Sequence, residues 1–246
     1  MIDGAREHLL AFADDEHMMG QGHTEWIGVA PFLEEDLAFC SIAQDELGHA
    51  AALYELIAAD EALDADALAF RPPHDYRSCH LVELPCDDWA DALARHWLYD
   101  TAERHRWAAL GGSSDPGVAA IVERAEREES YHRRHAETLA ARLLDAPSDG
   151  ADRLLGAIER LLPYADALWE PVAGEPQTVD AGVVTDASAD LRDRWRADVV
   201  AFLRRPVDWD ALDRPSQAGR TIRSEHFAAI HDRITEVIRI DPAATW

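Results

Sequence analysis

The sequence predicts an all-α protein: a four-helix bundle with a long crossover and additional helices after it. Three observations point there. Apolar residues recur at steps of three and four over segments of about twenty residues or more, no segment alternates as a strand does, and the breaks fall at Pro and Gly. With 246 residues, 48% of them hydrophobic, the chain is long enough for one domain with a proper core. We read 1–246 as that single domain, with 1–146 as the four-helix core and 147–246 as a C-terminal helical extension.

The first helix is expected from Arg6 to about Trp26 and the second from Leu33 to about Ala59. Gly28-Val29-Ala30-Pro31 is the break that makes them an antiparallel pair. Residues 60–87 hold Pro72-Pro73 and Pro85 and are long for a simple connection, which suggests a crossover along the bundle. A second hairpin follows, Asp88–Leu110 and Pro116–Leu144, turning at Gly111-Gly112-Ser113-Ser114-Asp115. Beyond it, helices are expected at about Ala151–Trp169, kinked or broken at Pro163, at Ala187–Arg204 and at Arg223–Ile238. The stretches 171–186 and 205–222 read as loops.

Acidic residues outnumber basic ones 48 to 23, leaving a formal charge of −25. Phosphate backbones and anionic membrane surfaces repel such a chain, which argues against nucleic acid and membrane as partners. All 23 basic residues are Arg. Cys40, Cys79 and Cys86 are too few and too irregular for a disulfide framework, and no 18-residue stretch is free of charge. The N-terminus lacks a basic region followed by an apolar one, so a cytoplasmic protein is expected.

Glu46-Leu47-Gly48-His49 and Glu129-Ser130-Tyr131-His132 are both Glu-x-x-His, which on a helix puts carboxylate and imidazole on one face, one turn apart. Each lies on an apolar series: Phe39, Ile42, Glu46, His49, Leu53, Leu56 in one helix, and Val118, Val122, Ala125, Glu129, His132, Ala136 in the other. Both motifs therefore face the predicted interior, where a solvated ion pair does not belong. Residues equally far from a hairpin turn lie side by side, so Glu46 meets Glu16 and Glu129 meets Asp100. Glu16 falls on Leu9, Phe12, Glu16, Met19, and Asp100 on Leu93, Trp97, Asp100, Trp107.

Each hairpin thus supplies one acid and one Glu-x-x-His. Four carboxylates balance the charge of two ferrous ions, and the imidazoles leave coordination positions open, which suggests oxygen activation. The predicted metal-binding and catalytic residues are Glu16, Glu46, His49, Asp100, Glu129 and His132. Glu103 stands as the alternative to Asp100, Asp14 or Asp15 to Glu16, Glu128 to Glu129, and manganese to iron. His17, His23, His96, His105 and His135 are expected at the surface or behind the ligands. Tyr99 and Tyr131 adjoin ligands and read as outer hydrogen-bond donors or packing residues, Trp97 and Trp107 as core, and Glu225-His226 as a stitch at the last helix.

These residues resemble the ferritin-like di-iron carboxylate proteins and, within them, the phenylacetyl-CoA epoxidase subunit family of PaaA and PaaC proteins. Glu25-Trp26-Ile27-Gly28 with Ala30-Pro31, Glu34-Glu35-Asp36-Leu37-Ala38, Asp45-Glu46-Leu47-Gly48-His49-Ala50, Ser224-Glu225-His226 and Trp246 look like the PaaC members. The resemblance implies a ferritin-like bundle and a ring-epoxidising multicomponent oxygenase with a di-iron site, O2 as co-substrate, a related oxygenase subunit, and a separate reductase supplying electrons. It implies an aromatic acyl-CoA as substrate, and a homo- or hetero-oligomer is expected. PaaC-type subunits have lost much of the metal set, whereas this chain keeps all six residues. Two other expectations stand beside the oxygenase: a non-catalytic PaaC-like subunit that stabilises a catalytic partner, and a ferritin-like iron oxidase.

Overall fold

The computed structural model describes residues 3–241, all of whose regular structure is helical. The two hairpins form as expected: α1 (Asp3–Thr24) packs along α2 (Leu33–Glu61), and α5 (Trp89–Gly111) along α6 (Pro116–Leu144). Between them, the crossover holds two short helices, α3 (Ala65–Ala69) and α4 (His80–Glu83), and a 3-10 turn at Pro73–Asp75. The extension comprises α7 (Asp149–Ala167), α8 (Glu175–Asp180), α9 (Ser188–Leu203), α10 (Phe227–Ile234) and α11 (Glu236–Ile240).

Local chemistry fixes the ends. Asp88 accepts from the backbone N–H of Asp91, Asp115 from Gly117 and Val118, and Ser148 from Ala151, each capping a helix start. Pro116 occupies the first turn of α6, where its missing N–H costs nothing. In the turn after α1, Asp36 accepts from the N–H groups of Gly28 and Ala30, and Gly28 takes a φ of +85°.

Three expectations need correction. The break that is one of the two outcomes expected at Pro163 does not occur, because α7 runs through that residue. The expected helix Arg223–Ile238 starts later, at Phe227, and is interrupted at Thr235, whose hydroxyl and N–H both donate to the carbonyl of His231. The loops 171–186 and 205–222 are partly ordered, by α8 and by a 3-10 turn at Trp209–Ala211. The Trp246 of the PaaC-like tail lies outside the described residues.

The core divides in two. One part joins the crossover, α5, α7, α9 and α10 around Trp97, Trp169 and Trp195; the other lies between the hairpins around Phe12, Leu53, Tyr54 and Trp107. Helices α7 and α9 cover the back of α5, so that helix is buried on nearly every side. Among the described residues the three cysteines are unbridged and no helix is long and apolar enough to cross a membrane.

Candidate metal centre

Each of the six predicted ligands is buried between the hairpins, with at most 6% of its surface exposed. Two groups of donor atoms lie within 4.8 Å of one another: Glu16, His49 and Glu129, and Glu16, Glu46 and Glu103. Glu103, the open alternative to Asp100, therefore joins Glu16 and Glu46, while Asp100 turns toward His96, with Oδ1 3.1 Å from Nδ1. His132 completes the other side, its Nδ1 3.3 Å from Glu129 Oε1.

Glu129 sits between the two motif imidazoles, because the same Oε1 is also 3.3 Å from His49 Nδ1. The far nitrogens are held with matching symmetry. His49 Nε2 contacts Glu128 Oε2 at 2.9 Å, and His132 Nε2 contacts Asp45 Oδ2 at 3.1 Å. In both cases the partner is the acid immediately before the Glu of the opposite motif. Each imidazole thus turns Nδ1 into the core and is oriented from behind by a carboxylate of the other hairpin.

The remaining acids of α1 separate cleanly. Glu16 points inward, accepting from the Tyr99 hydroxyl at 2.8 Å and contacting His49 Nδ1 at 3.1 Å. Asp14 instead accepts from the Tyr54 hydroxyl, the Arg71 guanidinium and the Arg77 N–H. Asp15 binds Arg106, Arg220 and the N–H of Cys79. Those two acids anchor the crossover and the C-terminal extension to the bundle.

Electrostatics mark the core as unfinished. Burial, reinforced by Glu16, Glu129 and Asp100, pushes the Glu46 carboxyl well above its usual range. Burial does the same to Glu103, with Glu129, Glu16 and Glu46 adding to it, and burial also raises Asp100 against the pull of His96. Burial alone would lower both motif imidazoles, yet their carboxylate partners hold His49 and His132 up at about 10. Glu129 is drawn down to about 2 by His132 and His49 in spite of its burial. Both oxygens of Glu46, Asp100, Glu103 and Glu129, and Nδ1 of His132, are buried and make no hydrogen bond. Eight carboxylate oxygens in that condition are costly in a core and are what a hard or borderline divalent cation requires, so the residues fit a metal pair.

Of the five other histidines, His17, His23, His96 and His105 are buried and His135 is half-buried, so the surface half of the expectation fails. His23, His96 and His135 stand behind the ligands. His96 is fully buried; its Nε2 lies 3.3 Å from His135 Nδ1, and His135 Nε2 lies 2.9 Å from Glu35 Oε2. A continuous polar chain, Asp100–His96–His135–Glu35, thereby runs from the core to the rim of α2. His23 stacks edge-on to His96 with both ring nitrogens buried and without hydrogen bonds. His105 contacts Asp198 at the bundle edge, and Tyr131 is 39% exposed. Trp97 and Trp107 are core residues.

A family model described as phenylacetic acid catabolic protein matches residues 2–246. The chain belongs to this family. Within it, the chain is similar to the C-type subunit of the 1,2-phenylacetyl-CoA epoxidase of Escherichia coli (strain K12), with 29% identity over 248 residues that span 97% of this chain and 98% of that protein. The family membership accords with the all-helical architecture and with a place among oxygenase-associated subunits.

Proposed function

We propose that this protein is a subunit of a multicomponent di-iron oxygenase acting on phenylacetyl-CoA or a related aromatic acyl-CoA, and that it carries the metal centre itself. The observation that supports this most is the pair of Glu-x-x-His motifs converging on one buried site, with Glu129 shared between the imidazoles and four acids without hydrogen-bond partners. Glu16, Glu46 and His49 would hold one metal and Asp100, Glu129 and His132 the other, with Glu103 as a fifth carboxylate within reach of Glu16 and Glu46. Bound iron supplies one- and two-electron chemistry with O2, using electrons from a separate reductase.

The chain's own residues perform the rest. Tyr99 fixes Glu16 through its hydroxyl, Asp45 and Glu128 set the ring orientations of His132 and His49, and His96 steadies Asp100. Phe12, Trp107, Leu53 and Val122 keep water from the site.

A second reading has its own support. The E. coli relative is the C-type member of its epoxidase, and a non-catalytic subunit that stabilises a catalytic partner accounts for that likeness. Ferrous loading under anaerobic conditions separates the readings. About two irons per chain, lost in both Glu46→Ala and Glu129→Ala, is the expected outcome. No specific iron in the folded protein overturns the catalytic assignment in favour of the structural one. Rapid ferrous oxidation that neither reductase nor acyl-CoA influences points to an iron oxidase instead.

A further inference from the structure

Both motif imidazoles share one construction. His49 and His132 each turn Nδ1 into the core while Nε2 is held from behind, by Glu128 at 2.9 Å and by Asp45 at 3.1 Å. His96 repeats it. Its Nε2 lies 3.3 Å from His135 Nδ1, His135 Nε2 lies 2.9 Å from Glu35 Oε2, and His96 Nδ1 faces Asp100 Oδ1 at 3.1 Å. His23, packed edge-on against His96, lacks such a hold, since neither of its ring nitrogens is hydrogen-bonded.

The chain of partners fixes which nitrogen carries each proton. A carboxylate only accepts, so Glu35 takes the N–H of His135 Nε2. Burial, with His96 beside it, holds His135 below the usual imidazole value and therefore neutral, which leaves a lone pair on its Nδ1. That lone pair accepts the N–H of His96 Nε2. In the neutral imidazole, Nδ1 of His96 then presents its own lone pair toward Asp100. Neither this nitrogen nor either oxygen of Asp100 is hydrogen-bonded, although all three are buried. The contact is thus two electron-pair donors side by side, which is unfavourable unless a cation lies against both. A nitrogen and an oxygen bound to one divalent ion at about 2.1 Å stand about 3.0 Å apart at a right angle and about 3.4 Å apart at the tetrahedral angle. The separation of 3.1 Å falls between the two.

We propose that His96 is a third imidazole ligand of the metal centre, binding through Nδ1 the ion that Asp100 holds. The assignment rests on the metal reading above and makes the pair unequal, with His96 and His132 on one ion and His49 on the other. Cobalt(II) alone is the probe, titrated anaerobically into the full chain and followed by visible absorption and proton NMR. An imidazole bound through Nδ1 keeps its N–H on Nε2, and high-spin cobalt(II) shifts that proton far outside the ordinary range. Three such signals, lost in heavy water, are expected at two cobalt ions per chain. His96→Gln should remove one signal, keep the other two, and weaken cobalt binding by about tenfold or more, at least as much as loss of an outer partner. Only two signals in the wild type, or three that persist in His96→Gln, overturns the proposal and leaves the metal reading standing. No bound cobalt overturns both. Far-UV circular dichroism checks folding of the variant; if it does not fold, the wild-type count decides.

Discussion

Asp45 and Glu128 carry a consequence out of proportion to their half-buried positions. Each orients the imidazole of the opposite motif, and loss of such an outer partner typically lowers metal affinity by about 10–100-fold. Asp45→Asn and Glu128→Gln should each do so in a ferrous titration while leaving the helical spectrum unchanged; unaltered affinity would remove the orienting role. Arg220 makes a different case. Its guanidinium is buried against Asp15, and Arg220→Ala leaves that acid with Arg106 as its one remaining guanidinium partner, which should cost about 3 kcal/mol in chemical denaturation. At this scale the sequence was legible where a helix has one buried face. Glu46, His49, Glu129 and His132 lie on such faces, and periodicity pointed all four inward. It did not separate Asp100 from Glu103, because α5 is buried nearly all round and both inward and backward positions are occluded. Nor did it separate Asp14 and Asp15 from Glu16, since what distinguishes them is arginines more than fifty residues away.

Between elements, a close backbone contact joins the start of α1 to the start of α8. A Cβ on Gly4 would lie 2.3 Å from the Gly174 carbonyl oxygen, and one on Gly174 would lie 2.6 Å from the Gly4 Cα, with Gly174 also at a φ of +80°. Backbone meets backbone there, so no side chain can yield. Gly174→Ala should therefore lower stability by about 2 kcal/mol or more, measured by urea unfolding, whereas Gly156→Ala, whose nearest neighbour is the end of Arg160, should be neutral or slightly stabilising. The hairpin elements were readable because the breaks inside them are local: Gly28-Val29-Ala30-Pro31 and Gly111-Gly112-Ser113-Ser114-Asp115 each interrupt a helical period within five residues. The crossover and the C-terminal segments were not placed by the same signals. Arg71 and Arg77 hold the former and Arg220 and Arg223 the latter, through long-range ion pairs that have no period.

For the whole molecule, a formal charge of −25 means that the folded state concentrates like charge. Screening should relieve it, so the denaturation midpoint should rise between about 0.05 and 0.5 M NaCl, where the Debye length falls severalfold. Acid acts through a specific group as well. Burial, together with Arg106 and Arg220, lowers His8 from 6.5 to about 3. The unfolded chain then binds a proton near pH 6.5 that the folded chain refuses until about pH 3. The associated stability is complete above the unfolded value and declines as pH falls through this window, with a slope of up to about 1.4 kcal/mol per unit. Unfolding free energies measured from pH 7.5 to 4.5 should fall less steeply in His8→Gln than in the wild type; equal slopes would assign the acid sensitivity to other groups.

The reciprocal grip between the hairpins also has a meaning in time. Because His49 is oriented from α6 and His132 from α2, neither hairpin holds a finished half of the site before the other has docked. Under the proposed metal assignment, one hairpin alone would not form a finished site, and high-affinity loading would follow assembly of all four helices. The rate of tight metal capture during refolding would then time the last docking event of the bundle.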